Sequence, residues 1–222
     1  MKRFLFALAA SSLALAAATP ASAGIFIGVS FNGGPITQVA SDAATGSANY
    51  NTTTGGYFFN TNGTGFPLVL RPNLLTQSVN IQQAGGNGGT LSIYITQTDL
   101  SSFSGFLQSA FTSNTISNAT AVLSTYFSSS NALFGGTQLQ SSAFNSTGLF
   151  TGINPLTLSL PFSTTVRYDL TFGAGSGNFN GTANLTTAVP EPATWALMLV
   201  GFAGLGYTVR RRPKVTTRVR FA

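Results

Sequence analysis

Between residues 24 and 188 this chain has no cysteine, histidine, lysine or glutamate. Charge of either sign is scarce there: Arg71 and Arg167 stand against Asp42, Asp99 and Asp169, two positive and three negative groups, a net charge of −1. Each absence removes a class of function. Without cysteine there is no disulfide framework and no thiol nucleophile. Without histidine a Ser-His-Asp triad cannot form, and transition metals lose their usual ligand. Without lysine there is no Schiff-base chemistry, and without glutamate no Glu-dependent glycoside hydrolysis. The three aspartates are far apart and none lies in an Asp-x-Asp pattern, so solvated turn or strand positions suit them better than a calcium site or a carboxylate pair. The sequence predicts no enzyme, no cofactor and no metal.

The formal net charge of +6 looks at first like the mark of a nucleic-acid partner, but the charges sit at the ends. Lys2 and Arg3 open the chain, and Arg210, Arg211, Arg212, Lys214, Arg218 and Arg220 close it. The middle has no basic patch to offer a phosphate backbone, so no nucleic acid is expected.

The N-terminal end reads as a secretory signal peptide, residues 1–23: two basic residues, an apolar run from Phe4 to Ala18, then the small residues Ala21-Ser22-Ala23. Signal peptidase would cut between Ala23 and Gly24. An apolar run of about fifteen residues is short for a membrane span. At the other end, Ala193 to Val209 is free of charge. As a helix rising 1.5 Å per residue it would run about 25 Å, with the arginines beyond it snorkelling to headgroups. That pattern predicts a C-terminal transmembrane helix over residues 193–209, its basic cluster on the cytoplasmic side and the preceding domain outside.

Val189-Pro190-Glu191-Pro192, then Trp195-Ala196, an apolar run spaced by Gly201 and Gly206, and finally Arg210-Arg211-Arg212 resemble the PEP-CTERM sorting signal in its PEPxxWA variety. The likeness covers residues 189–222. It implies a Gram-negative bacterium, export across the inner membrane, recognition by an exosortase, removal of the tail near Pro190 to Pro192, and association with exopolysaccharide, biofilm or floc. The ten residues from Pro213 to Ala222 run further past the arginines than is usual for the family. The motif also has a physical logic. Pro190 and Pro192 bias the backbone to an extended form that an enzyme groove can bind without melting a helix, and Trp195 stands at the depth that amphipathic aromatics prefer.

Residues 24–188 then form one β-rich extracellular domain. Fifteen Phe and five Tyr in this segment argue against disorder. The periodicity is mostly two: Val166, Tyr168, Leu170 and Phe172 share one face, Arg167 and Asp169 the other, where they suit a charge pair. Leu91, Ile93 and Ile95 alternate in the same way, and GIFIGVSF and SVNIQQ add short strands. Gly/Asn breakers separate these runs. SVNIQQ and TLSIYITQT across the Gly85–Gly89 run read as a hairpin, as do FNG and TANLTT. Phe103, Phe106, Leu107, Ala110 and Phe111 fit a short amphipathic helix, with strand resuming over Ala119 to Phe127. Many short strands with frequent turns predict an antiparallel β-sandwich or jelly roll. GAGSGN at Gly173 to Asn178 lacks the lysine and helix of a phosphate loop and reads as a turn.

Two functions outlast these exclusions: a structural or interaction role at the surface or in the matrix, and a carbohydrate-binding adhesin module. For the second, Tyr50, Tyr57, Phe58 and Phe59 beside Asn49, Asn51 and Asn60 form one local cluster of aromatics and amides, with Tyr50 and Tyr57 the candidate glycan contacts. The same aromatics also suit the core of a strand.

Overall fold

A computed structural model describes residues 23–76, 79–159, 161–188 and 192–210. The expected signal helix lies outside them. Twelve strands build two six-stranded sheets packed face to face. The first sheet runs, edge to edge, β2 (Thr37–Asp42), β1 (Ile25–Phe31), β6 (Gly89–Leu100), β11 (Phe162–Phe172), β8 (Ala119–Ser128), β9 (Thr137–Phe144). The second runs β10 (Gly148–Leu158), β7 (Phe103–Ser117), β12 (Ser176–Ala188), β5 (Val79–Ala84), β4 (Tyr57–Thr64), β3 (Ser47–Thr54). Every pairing is antiparallel. This is an antiparallel two-sheet sandwich, as the period-two patterning predicts.

Alternation fills the space between the sheets. Ile25, Ile27, Leu91, Ile93, Ile95, Val166, Tyr168 and Leu170 of the first sheet meet Phe59, Val79, Ile81, Leu107, Phe111, Phe179 and Leu185 of the second, all fully buried. Burying a side chain of this size is worth about 1.5–3 kcal/mol, so the apolar interior supplies the cohesion that disulfides give many exported domains. A few hydroxyls also enter the interior in pairs. Thr96 meets Thr165 at 2.8 Å, and Ser109 of β7 meets Thr125 of β8 at 2.6 Å, joining the two sheets.

Four sequence expectations are corrected. Residues 103–111 are not helical but open the fifteen-residue strand β7. Leu107 and Phe111 point inward while Phe106 is exposed. SVNIQQ and TLSIYITQT are not a hairpin: β5 pairs with β4 and β12, whereas β6 pairs with β1 and β11 in the opposite sheet. The Gly85–Gly89 run carries the chain from one sheet to the other. FNG and TANLTT form one strand, β12, with a register shift between Asn180 and Gly181. A Cβ on Gly181 would stand 2.5 Å from the Thr112 carbonyl oxygen, so this glycine admits a neighbouring strand instead of making a turn.

The fourth concerns the tail. α1 spans Pro192–Arg210, but no helix among the described residues is long and apolar enough to cross a membrane. Gly201, Gly204, Gly206, Tyr207 and Thr208 dilute the apolar run, and Arg210 closes it. The expectation of a transmembrane helix over 193–209 is therefore not met.

Candidate functional site

The strand pairings give the sandwich two distinct poles. At one, Ile25 faces Gln97, Leu158 faces Phe103, Phe162 faces Leu100 and Ala188 faces Phe106, so both ends of the 24–188 domain leave from the same place. The predicted signal cleavage falls here. Ala21 lies outside the described residues. Ala23 is buried with Leu100, Leu158 and Phe162, and the Gly24 carbonyl accepts from the Thr98 amide at 2.9 Å.

The sorting motif follows directly. Ala188 ends β12 and Pro192 opens α1; Trp195 lies within that helix and an exposed Arg210 ends it. Pro190, Glu191, Arg211 and Arg212 lie outside the described residues. Among the described residues, no strand residue falls beyond Ala188.

The opposite pole gathers the turns after β1, β3, β5, β7, β9 and β11. Among the described residues, two recesses open there. One is a groove of about 440 Å³ on the outer face of the second sheet, lined in part by Phe58, Gln82, Ser117 and Asn178. The other, about 400 Å³, opens at the end of the sandwich and is bordered by Phe31, Asn32, Tyr57, Asn87 and several glycines. Gln83 lines both.

Strand register explains the groove. Phe58 of β4 faces Gln82 of β5, Gln82 faces Asn178 of β12, and Asn178 faces Ser117 of β7. One step along, Asn51, Asn60, Asn80 and Asn180 stand side by side across β3, β4, β5 and β12. Strands lie about 4.8 Å apart, so these rows set amides at regular intervals over a flat, uncharged face. The Asn114 amide donates to Asn180 Oδ1 at 3.1 Å.

The candidate glycan contacts divide by face. Tyr50 points inward and packs on Phe59 at 5.3 Å between ring centroids. Tyr57 is only 6% exposed and is surrounded by Phe31, Phe59 and Phe172. Burial pushes its hydroxyl pKa up. Period two places Phe58, 37% exposed, and Asn60 outward instead. Of the aromatic cluster, then, Phe58 is the member whose ring faces the amide rows, and Tyr57 offers only its edge to the second recess.

The charged groups lie elsewhere. Arg167 Nε donates to Asp169 Oδ1 at 2.8 Å on the outer face of the first sheet, where Ser92 also donates to Asp169, and the guanidinium stands 5.1 Å from the Tyr94 ring. Desolvation lowers the Arg167 pKa, but the Asp169 charge and hydrogen bond together with Tyr94 and Tyr126 outweigh it and the net shift is upward. Asp42 accepts from the amides of Ala44 and Thr45, and its hydrogen bond with the Thr45 hydroxyl leads in holding its pKa below the ordinary value. Asp99 accepts from the Asn131 side chain at 2.8 Å. Among the described residues no three His, Cys, Asp or Glu side chains converge to hold a metal ion.

Comparison with protein families finds the PEP-CTERM protein-sorting motif at residues 188–212. Comparison with curated proteins gives no match. Among solved structures, TmCBM61 in complex with beta-1,4-galactotriose is 11% identical with a TM-score of 0.33, covering 60% of this chain and 90% of that one. The adhesin domain of Epf from Streptococcus pyogenes is 12% identical with a TM-score of 0.35, over 75% of this chain and 59% of that one. The enzymatically active domain of tailspike protein 4 of Bacteriophage CBA120 is 11% identical with a TM-score of 0.34, over 64% and 20%. At these TM-scores the likenesses carry no functional implication.

Proposed function

Because the chain carries a PEP-CTERM sorting motif immediately after its last strand, we propose that residues 24–188 form a non-catalytic domain which is exported, processed by exosortase and kept at the cell surface or in the extracellular matrix among exopolysaccharide. The observation that carries this reading is the boundary itself. The motif begins at Ala188, where β12 ends. A cut near Pro190 to Pro192 therefore removes only the tail and leaves all twelve strands paired. A domain whose core lies wholly before its sorting signal keeps its fold through processing.

Surface chemistry supports the matrix setting. Asparagine, threonine, serine and glutamine dominate the outer face of the second sheet, and a nearly neutral coat of this kind neither repels nor condenses on charged polymers. No histidine, cysteine, lysine or glutamate stands in the domain to start acid–base or nucleophilic chemistry.

Replacing Pro190, Glu191 and Pro192 by alanine tests the reading in producing cells. The variant should accumulate in the cell fraction with its tail intact, while the parent chain appears outside with the tail removed. Identical distribution of the two would overturn it.

A further inference from the structure

The geometry points to a binding site for an uncharged, hydroxyl-rich oligosaccharide at the pole of the sandwich opposite the sorting motif, centred on Gln83 and the Phe58–Gln82–Asn178 row. This rests on the reading of a surface domain set among polysaccharide, and gives that domain a defined contact.

Unpaired acceptors are the first reason. Gln83 is 5% exposed, lines both recesses, and its Oε1 has no hydrogen-bond partner. Asn178 Oδ1, on the outward-facing groove, is buried and unpartnered as well. Buried polar atoms in folded proteins are nearly always bonded. These two open amide oxygens, Gln83 bordering both recesses and Asn178 the groove, mark a place where an incoming donor completes the network.

The lining chemistry says which donor. No Asp, Glu, Lys or Arg lines either recess. A phosphate or carboxylate would find no cation there, and a metal ion no carboxylate. What the site offers are side-chain amides and serine hydroxyls, which both donate and accept, beside an apolar ring. Sugar hydroxyls also do both, and the C–H face of a pyranose ring packs on an aromatic side chain. Phe58 stands outward next to Gln82 to serve as that platform. A few convergent polar groups around an apolar wall is the general pattern of a small-molecule site.

Access is open. A Cβ added at Gly56 or Gly85 would meet nothing within 4 Å, so bare backbone forms a low rim around the mouth. The amide rows continue from the groove across β12, β5 and β4 toward β3, giving a longer chain a uniform track. The pole faces away from Ala188, so the site is unaffected by whether the tail is present.

Titration calorimetry of the full chain with maltohexaose, cellohexaose, the neutral fraction of the producing cells' exopolysaccharide and, as the charged control, an alginate hexamer tests the site. At least one neutral probe should bind saturably. Phe58→Ala, Asn178→Ala and Gln83→Leu should each weaken that binding tenfold or more, with Tm not lowered in Gln83→Leu because the substitution removes an unpaired acceptor. Absence of binding by every neutral probe, equal binding by the three variants, or binding of alginate alone would overturn the proposal. The surface reading fails separately. An unprocessed, cell-retained chain would sink it even with sugar bound in the calorimeter, and a processed exported chain that binds no sugar would leave it standing while removing the site.

Discussion

The Thr76 hydroxyl joins Tyr168 of one sheet to Ala183 of the other. Thr76 Oγ1 donates to the Ala183 carbonyl at 2.9 Å, accepts from the Ala183 amide at 2.8 Å, and also meets the Tyr168 hydroxyl. With its own proton committed to Ala183, Thr76 leaves Tyr168 as the donor between them. All of this happens in a fully buried setting, so each group depends on the others.

Removing the shared oxygen strands more than one partner. Thr76→Val should destabilise the domain by about 1–3 kcal/mol, the cost of burying unpaired polar groups, and Tyr168→Phe by about 0.5–1.5 kcal/mol, the net value of one hydrogen bond. Urea unfolding monitored by fluorescence measures both. A smaller loss in Thr76→Val than in Tyr168→Phe would contradict the bridging role.

Alkaline pH attacks the same pair. Burial, which outweighs the hydrogen bonding with Thr76 and Ala183, pushes the Tyr168 hydroxyl well above its ordinary range. The unfolded chain loses that proton near pH 10 while the folded chain keeps it. The unfolded state then binds fewer protons, and stability falls as pH rises above about 10, by up to about 1.4 kcal/mol per pH unit from this residue. Below pH 10 its contribution is fully present. Unfolding midpoints between pH 8 and 11 should show this decline in the parent and a shallower one in Tyr168→Phe.

Tyr57 and Phe58 are neighbours with opposite roles. Tyr57→Ala opens a cavity among Phe31, Phe59 and Phe172 and should cost about 3–5 kcal/mol, so it cannot serve as a clean probe of sugar contact. Phe58→Ala trims an outward ring and should leave Tm within a few degrees. Calorimetric melting of both variants checks the contrast, and equal losses would place both rings in the core.

Much of this was legible in the sequence where period two is unambiguous. Val166, Tyr168, Leu170 and Phe172 do face the interior, and Arg167 does pair with Asp169 on the outside. Where the signal was local, it misled. Phe103, Leu107 and Phe111 are four residues apart, a spacing that suits a helix turn and also two strand repeats. Only Phe106 and Ala110, outward in β7, separate the two periods. The Gly85–Gly89 run has the backbone freedom of a hairpin turn, with positive φ at Gly85, Gly86, Gly88 and Gly89. Nothing in five residues says whether the chain returns beside itself or crosses to another sheet. The groove is half visible in sequence: Asn51 and Asn60 stand with their aromatic neighbours, but Gln83 joins them only through the Tyr57–Gln83 pairing of β4 with β5, and Asn178 only through its pairing with Gln82, about a hundred residues away.

Gly63 is where a side chain from the second sheet would strike the first. A Cβ there would stand 2.4 Å from Ile95 Cγ2 and 3.4 Å from Ile25 Cγ2. Gly63→Ala should force the sheets apart or twist Ile95 off its rotamer, at about 1–3 kcal/mol. A stabilised variant, which the lower unfolded-state entropy of alanine alone would give, would show that the interface has slack.

The intact mass of the protein recovered from the native cell surface and surrounding matrix tests the central claim most directly. The account predicts a chain that begins at Gly24 and ends near Pro190 to Pro192, with or without an attached group. A mass that still includes residues 1–23, or Trp195 and the terminal arginines, would contradict it.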